Sequence, residues 1–181
     1  WTDQIAHTAE LVEFSPDAAI GMVFTNSEVL FTSDDEGETW TTKHKLSTGS
    51  GDESRTHVAE SAAVVDATHA WVLTRAGRVL FSADAGATWK LQYTGDGDLK
   101  DGQISFRDAK VGCVSGKQVL CTPDGGASWQ RGVLAKEADE SLSRVRWGGT
   151  DVRWIDDDVT GRRVWCSSDG GATWARRYSP R

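Results

Sequence analysis

The apolar residues of this chain fall in short runs of strand length, each bounded by polar or glycine-bearing stretches. The clearest example is Ala70-Trp71-Val72-Leu73, a tight turn at Gly77, and then Arg78-Val79-Leu80-Phe81-Ser82. Apolar runs this short, rich in β-branched and aromatic residues and punctuated by glycine, predict antiparallel strands and hairpins. Taken along the chain they fall into four groups of four. The first group has strands at 10–15, 18–25, 28–33 and 39–46, the second at 58–65, 70–74, 78–82 and 88–93. The third has 103–106, 110–114, 118–122 and 128–134, the fourth 141–147, 151–155, 162–167 and 173–178. Polar segments at 47–56, 94–102 and 135–140 predict the crossovers between groups.

One short motif closes the last hairpin of every group. Its four copies are Ser33, Asp35, Gly37, Thr39, Trp40; Ser82, Asp84, Gly86, Thr88, Trp89; Thr122, Asp124, Gly126, Ser128, Trp129; and Ser167, Asp169, Gly171, Thr173, Trp174. Each position suits a tight connection between antiparallel strands. The Asp carboxylate accepts hydrogen bonds from turn amides that the ladder no longer satisfies, and the Ser or Thr hydroxyl does so more weakly. Glycine permits a positive φ. The Trp is expected to open the next strand, with a large apolar face for a neighbouring unit and an indole N–H for a carbonyl. In the first copy Asp34 competes with Asp35 in the alignment. The strict spacing favours Asp35, with an extra residue absorbed as a bulge. Successive motif Trp residues are 49, 40 and 45 residues apart, the period of a four-stranded propeller blade.

The four copies resemble the Asp-box, or BNR, repeat of β-propellers found in sialidases, some endoglucanases, sortilin-type receptors and the photosystem II assembly factor family. The short, closely spaced units are most similar to the last of these. The resemblance implies an all-β fold: four blades at about 10–46, 58–93, 103–134 and 141–178 within one propeller unit over 1–181. It also implies that the motif residues are structural and lie away from any ligand channel. Trp1-Thr2-Asp3-Gln4-Ile5 matches the strand that follows a motif Trp, so residues 1–8 are expected to be the outer strand of an incomplete blade.

Charge and chemistry narrow the function. The formal charge of −7 argues against a nucleic-acid binder, which needs a basic surface. The charge is uneven: residues 144–181 carry eight Arg against five Asp, a net of +3, which leaves −10 for the rest. Within that basic end Arg144, Arg146, Arg153, Trp154, Arg162 and Arg163 are the candidate partner-binding residues, since Arg captures carboxylates bidentately and is enriched with Trp at interfaces. Strand alternation predicts the Arg side chains on one face and the apolar ones on the other. The bland alternative is a blade with Trp as filler and Arg at the rim. No run is long and apolar enough for a transmembrane helix, so no membrane insertion is expected.

Catalytic candidates are few. A sialidase-like site would need an arginine triad, a Tyr with an acidic partner, an Asp acid/base and an F/Y-R-I-P segment. Phe106-Arg107-Asp108 lacks the last, and Tyr93 and Tyr178 lie just after a motif on outer strands. Asp96, Asp98 and Asp101 have part of a calcium-loop spacing, but Lys100 falls where an oxygen ligand is wanted. Asp156-Asp157-Asp158 reads as an exposed turn. Cys113, Cys121 and Cys166 form an odd set. Cys113 and Cys121 are cross-strand disulfide candidates in one register, or else small buried hydrophobes. Cys121 and Cys166 occupy the same repeat position in different units and are expected to be too far apart to bridge. No metal and no cofactor is expected. The sequence therefore predicts a non-catalytic scaffold for a protein partner or larger assembly, extracytoplasmic, secreted or in an organelle lumen. The competing expectation is part of a glycan-binding or glycoside-hydrolase propeller whose catalytic residues lie outside this chain.

Overall fold

The structure, a computed structural model, describes residues 9–17, 20–25, 29–46, 58–95, 97–134, 144–148, 152–156 and 164–178. Residues 1–8, on which the incomplete-blade expectation falls, lie outside them. Every regular element described is a strand. The first sheet contains β1 (Ala9–Phe14), β2 (Gly21–Thr25), β3 (Val29–Ser33) and β4 (Thr41–Lys45), hydrogen-bonded in that order. The second contains β5 (Ala59–Val64), β6 (Ala70–Thr74), β7 (Arg78–Ser82) and β8 (Lys90–Thr94). The third is formed by β9 (Gln103–Phe106), β10 (Gly112–Ser115), β11 (Val119–Thr122) and β12 (Gln130–Arg131). After the two-residue β13 (Val133–Leu134), the fourth sheet follows as β14 (Arg144–Gly148), β15 (Val152–Asp156), β16 (Val164–Ser167) and β17 (Thr173–Tyr178). Each is an antiparallel meander, as short hairpin connections require. The chain divides into two compact units, Trp1–Thr94 with the first two sheets and Gly95–Arg181 with the others.

In the first unit Met22 and Phe24 of β2 share a buried core with Ala62, Val64, Ala70, Val72 and Leu80 of the second sheet and with Trp89. The Trp89 ring centre lies 6.3 Å from that of Phe24. Large residues on one face meet mostly small ones on the other, the condition for filling space without voids. Arg75 ties the same two sheets together at their surface, its guanidinium 2.9 Å from Glu10 and 3.4 Å from Glu60.

The second unit reverses the sizes. Cys113, Val119 and Cys121 of the third sheet meet Val145, Trp165 and Trp174 of the fourth, with Trp147 packed alongside. The Trp147 indole N–H donates to Ser105 Oγ at 2.8 Å. Cys113 and Cys121 are directly opposed in the β10–β11 ladder and joined by a disulfide, with Cα atoms 4.1 Å apart. The same ladder position holds Met22 opposite Thr32, Trp71 opposite Phe81, and Trp154 opposite Cys166. Trp71 and Phe81 stack at 4.9 Å. The disulfide thus occupies a slot that an aromatic pair fills in the second sheet, and its thinness makes room for the three Trp side chains packed over it.

Two strand expectations need correction. The outer strand of the third sheet was expected to run unbroken over 128–134. Instead β12 stops at Arg131, and β13 crosses to lie parallel to β17, with Val133 opposite Thr173 and Leu134 opposite Trp174. Gly132 makes the switch. Its N–H donates to Val119 of its own sheet, and the next N–H donates to Ala172 of the other, each at 2.9 Å. A Cβ at this position would lie 2.6 Å from Trp174 Nε1, so only glycine lets the main chain pass. Trp40, Trp89 and Trp129 also precede β4, β8 and β12 rather than opening them, and only Trp174 lies inside its strand.

Candidate functional site

The four repeated turns have the same construction. The hydroxyls of Ser33, Ser82, Thr122 and Ser167 donate to the following Asp at 2.7, 2.8, 2.8 and 2.8 Å. Each of these hydroxyls also accepts from the glycine N–H at 2.8 Å. The Asp carboxylates then accept from both the amide and the hydroxyl of Thr39, Thr88, Ser128 and Thr173, four residues on. Asp35, and not Asp34, plays this part in the first copy. No bulge is inserted there, because Glu36 and Gly37 have φ of 58° and 88°, matching 56° and 83° at Ala85 and Gly86. The position before the motif glycine thus also needs a left-handed residue. Gly125 and Gly170 supply it without strain, whereas Glu36 and Ala85 carry a Cβ there. The sequence signal was the glycine pair in two of the copies.

This hydrogen bonding stabilises the ionised carboxylate. The hydroxyl and amide of Thr39 beside Asp35, and those of Thr173 beside Asp169, bring both acids to about 2. Asp124 is lowered chiefly by the Ser128 hydroxyl, and at Asp84 the Thr88 hydroxyl and amide outweigh the opposing effect of burial. A carboxylate whose folded pKa is depressed stabilises the fold above its unfolded value and loses that contribution as pH falls toward the folded one. Thermal unfolding followed from pH 5 to 2 should therefore show a midpoint that drops mainly between about pH 4 and 2. Asp84→Asn and Asp169→Asn should each flatten that drop. A midpoint insensitive to pH in this window would contradict the assignment.

The remaining candidates separate. Arg107 donates to Asp108 at 2.8 Å, and Asp108 accepts from the amides of Lys110 and Val111, so this segment is a closed turn. Asp98 and Asp101 lie on the crossover and Asp96 lies outside the described residues. Among the described residues no three His, Cys, Asp or Glu side chains come together as a metal site. Asp156 ends β15, while Asp157 and Asp158 lie outside the described residues. Tyr93 and Tyr178 are on the outer strands β8 and β17. A turn that was not anticipated closes β5 onto β6. Asp66 accepts from the amides of Thr68 and His69 and holds His69 Nδ1 at 2.9 Å. The imidazole stacks near Trp71 and Phe81. Burial pushes Asp66 upward, but those amides prevail and bring it to about 2.

The ladder register gives the backbone position of three of the arginines. In the ladder Arg144 lies opposite Asp156 and Arg146 opposite Trp154, whereas Arg153 lies opposite Trp147 and Ser167. Opposed residues of an antiparallel pair share a face. Arg146 therefore shares its ladder row with Cys166 and Ala175, whereas Val145 and Trp147 hold the face that meets the third sheet. Alternation along one strand could not reveal this, because the register between β14 and β15 decides it. Arg146 is exposed, as is Ala175, and Cys166 is half-buried. Arg162 and Arg163 lie outside the described residues.

At the other end of the chain the first sheet turns an apolar face outward. Val12 is 48% and Phe14 39% exposed, and the Phe14 ring meets half-buried Trp40 edge-on at 6.1 Å. Phe14 lies over Gly21, where a Cβ would come within 2.7 Å of the ring. The third sheet repeats the device with Phe106, Gly112 and Trp129.

Four successive four-stranded antiparallel meanders, packed face to face within each unit, define the chain as a stretch of β-propeller. Solved structures agree on the fold. The chain is similar to YCF48 bound to D1 peptide, with a TM-score of 0.67 at 16% identity, covering 97% of this chain and 56% of that one. It is similar to YCF48 from Cyanidioschyzon merolae, with a TM-score of 0.71 at 14% identity, covering 98% and 59%. It is also similar to the GH74 xyloglucanase of Xanthomonas campestris, with a TM-score of 0.68 at 18% identity, covering 94% and 30%. The chain thus spans 30% to 59% of the length of these propellers. No protein-family model and no curated protein matches the sequence.

Proposed function

We propose that this chain is an Asp-box propeller segment that works as a non-catalytic scaffold, docking a carboxylate-bearing protein surface on the outward face of its fourth blade. The observation that carries the reading is the ladder of that blade. In it the exposed Arg146 stands opposite Trp154 and Arg144 opposite Asp156, and Arg and Trp are residue types suited to an acidic protein partner. The likeness to YCF48 bound to D1 peptide supports a protein partner. The repeated aspartates support structure over glycoside cleavage, because each is engaged by its own turn. The disulfide between Cys113 and Cys121 supports an oxidising, extracytoplasmic or lumenal setting.

The test is fluorescence anisotropy with a labelled Asp/Glu-rich peptide. Arg146→Glu should weaken binding by about tenfold or more and reduce its dependence on salt, because a favourable charge contact becomes repulsive. Equal binding by the parent chain and Arg146→Glu would remove the fourth blade from the docking site.

A further inference from the structure

We propose that the bond between Cys113 and Cys121 is a redox latch on the seam between the third and fourth blades. A dithiol reductant cannot reach it while that seam is closed, and once reduced the pair no longer fits under the fourth blade. The bond occupies one row of the third sheet. In the ladder Ser105 stands opposite Cys113 and Gln130 opposite Cys121, with the two cysteines facing each other between them. This row meets the fourth blade. Cys113 and Cys121 pack with Val145, Trp165 and Trp174, and Ser105 accepts the Trp147 indole N–H at 2.8 Å.

Both sulfurs are shut away from solvent. Cys113 is 0% and Cys121 3% exposed, and every residue of β10 and β11 is buried. The covering side chains come from three strands of the fourth blade, Val145 from β14, Trp165 from β16 and Trp174 from β17, and all three are buried. A reductant therefore meets the bond only when these strands lift away. The first unit has no such tie. It contains no cysteine, and at the matching row Met22 stands opposite Thr32, so that an adaptable thioether fills the seam.

Reduction changes the floor under the fourth blade. One thiolate of the dithiol attacks either sulfur and forms a mixed disulfide, and the second thiolate of the same reductant then displaces the protein sulfur. The sulfur–sulfur bond thus passes from the protein to the reductant. Two electrons go to Cys113 and Cys121, and the two protons shed by the dithiol end on their thiols. Two separate thiols need more room than two bonded sulfurs. At a row whose Cα atoms are 4.1 Å apart, that room lies toward the fourth blade, where Trp165 and Trp174 already pack. A close-packed interior does not absorb the excess. Reduction also frees the unfolded chain from the constraint that the bond imposed. A chain carried into a reducing environment therefore loses the packing of its second unit and keeps that of its first.

Hydrogen exchange and cysteine alkylation, each read by peptide mass with and without dithiothreitol, test this. Reduction of Cys113 and Cys121 should run more than about a hundredfold slower in buffer than in denaturing urea, since it waits for openings of the seam. In the reduced chain the amides of β10, β11, β16 and β17 should lose protection by about fiftyfold, the size expected when the constraint between cysteines 8 residues apart is released. Those of β6 and β7 should keep theirs, and reoxidation should restore the rest. Equal reduction rates in buffer and in urea would overturn the shielding. Unchanged protection of β10, β11, β16 and β17 after reduction would overturn the latch. A loss shared equally by β6 and β7 would make the bond a staple of the whole chain and overturn its assignment to this seam.

Discussion

Trp174→Ala is expected to lower the unfolding free energy by about 4 kcal/mol, near the middle of the range for truncating a buried large aromatic. Trp40→Ala, the same substitution at the equivalent position, should cost about 1 kcal/mol. Trp174 is 1% exposed, packs against the Cys113 and Cys121 floor, and donates its indole N–H to Gly171 at 2.9 Å. Trp40 makes the corresponding bond to Gly37 at 3.1 Å but is only half-buried beside the exposed Phe14. Urea denaturation of the two variants separates what the motif contributes by itself from what a covering blade adds. Equal losses would mean that the Trp stabilises its own turn alone.

Gly102→Ala should cost about 3 kcal/mol, the upper end of what forced overpacking usually costs. A Cβ at Gly102 would fall onto the Ser115 carbonyl oxygen and lie 2.8 Å from that of Leu99. Both are main-chain atoms that cannot rotate away. On the other side of the same contact, a Cβ at Gly116 would lie 2.5 Å from the Asp98 carbonyl, which accepts the Lys117 N–H at 2.8 Å. The crossover at 97–102 is thus seated against the turn at 115–118, with Leu99 fully buried under it. Gly97→Ala is the control. It meets open space and loses only the freedom of its φ of +85°, about 1 kcal/mol. Similar losses at the two positions would show that backbone strain, not close approach, governs this crossover.

The parts of the fold legible in the sequence are those encoded locally. The motif turns were readable because Ser, Asp, Gly and Thr act within four residues of one another, as the bonds from Ser82 to Asp84 and from Thr88 to Asp84 show. Strands such as Arg78–Ser82 were readable because apolar runs stand between turn residues. What was not legible depends on partners distant in the chain. Nothing near Arg153 tells that it lies opposite Trp147. Val133 and Leu134 look like the end of the third blade's outer strand, and only Trp174, forty residues on, draws them elsewhere. The candidate site was legible as a basic composition, whereas which residue stands opposite Arg146 is set by the register between β14 and β15.

The crossing at Gly132 has a consequence for how the second unit comes apart. Because Val133 N–H is donated to Ala172 while Gly132 N–H is donated to Val119, one continuous piece of main chain is stitched into both the third and the fourth blade. The amide of residue 132 should therefore exchange with deuterium in openings of the third blade and that of residue 133 in openings of the fourth, so two adjacent amides report separately on the two blades.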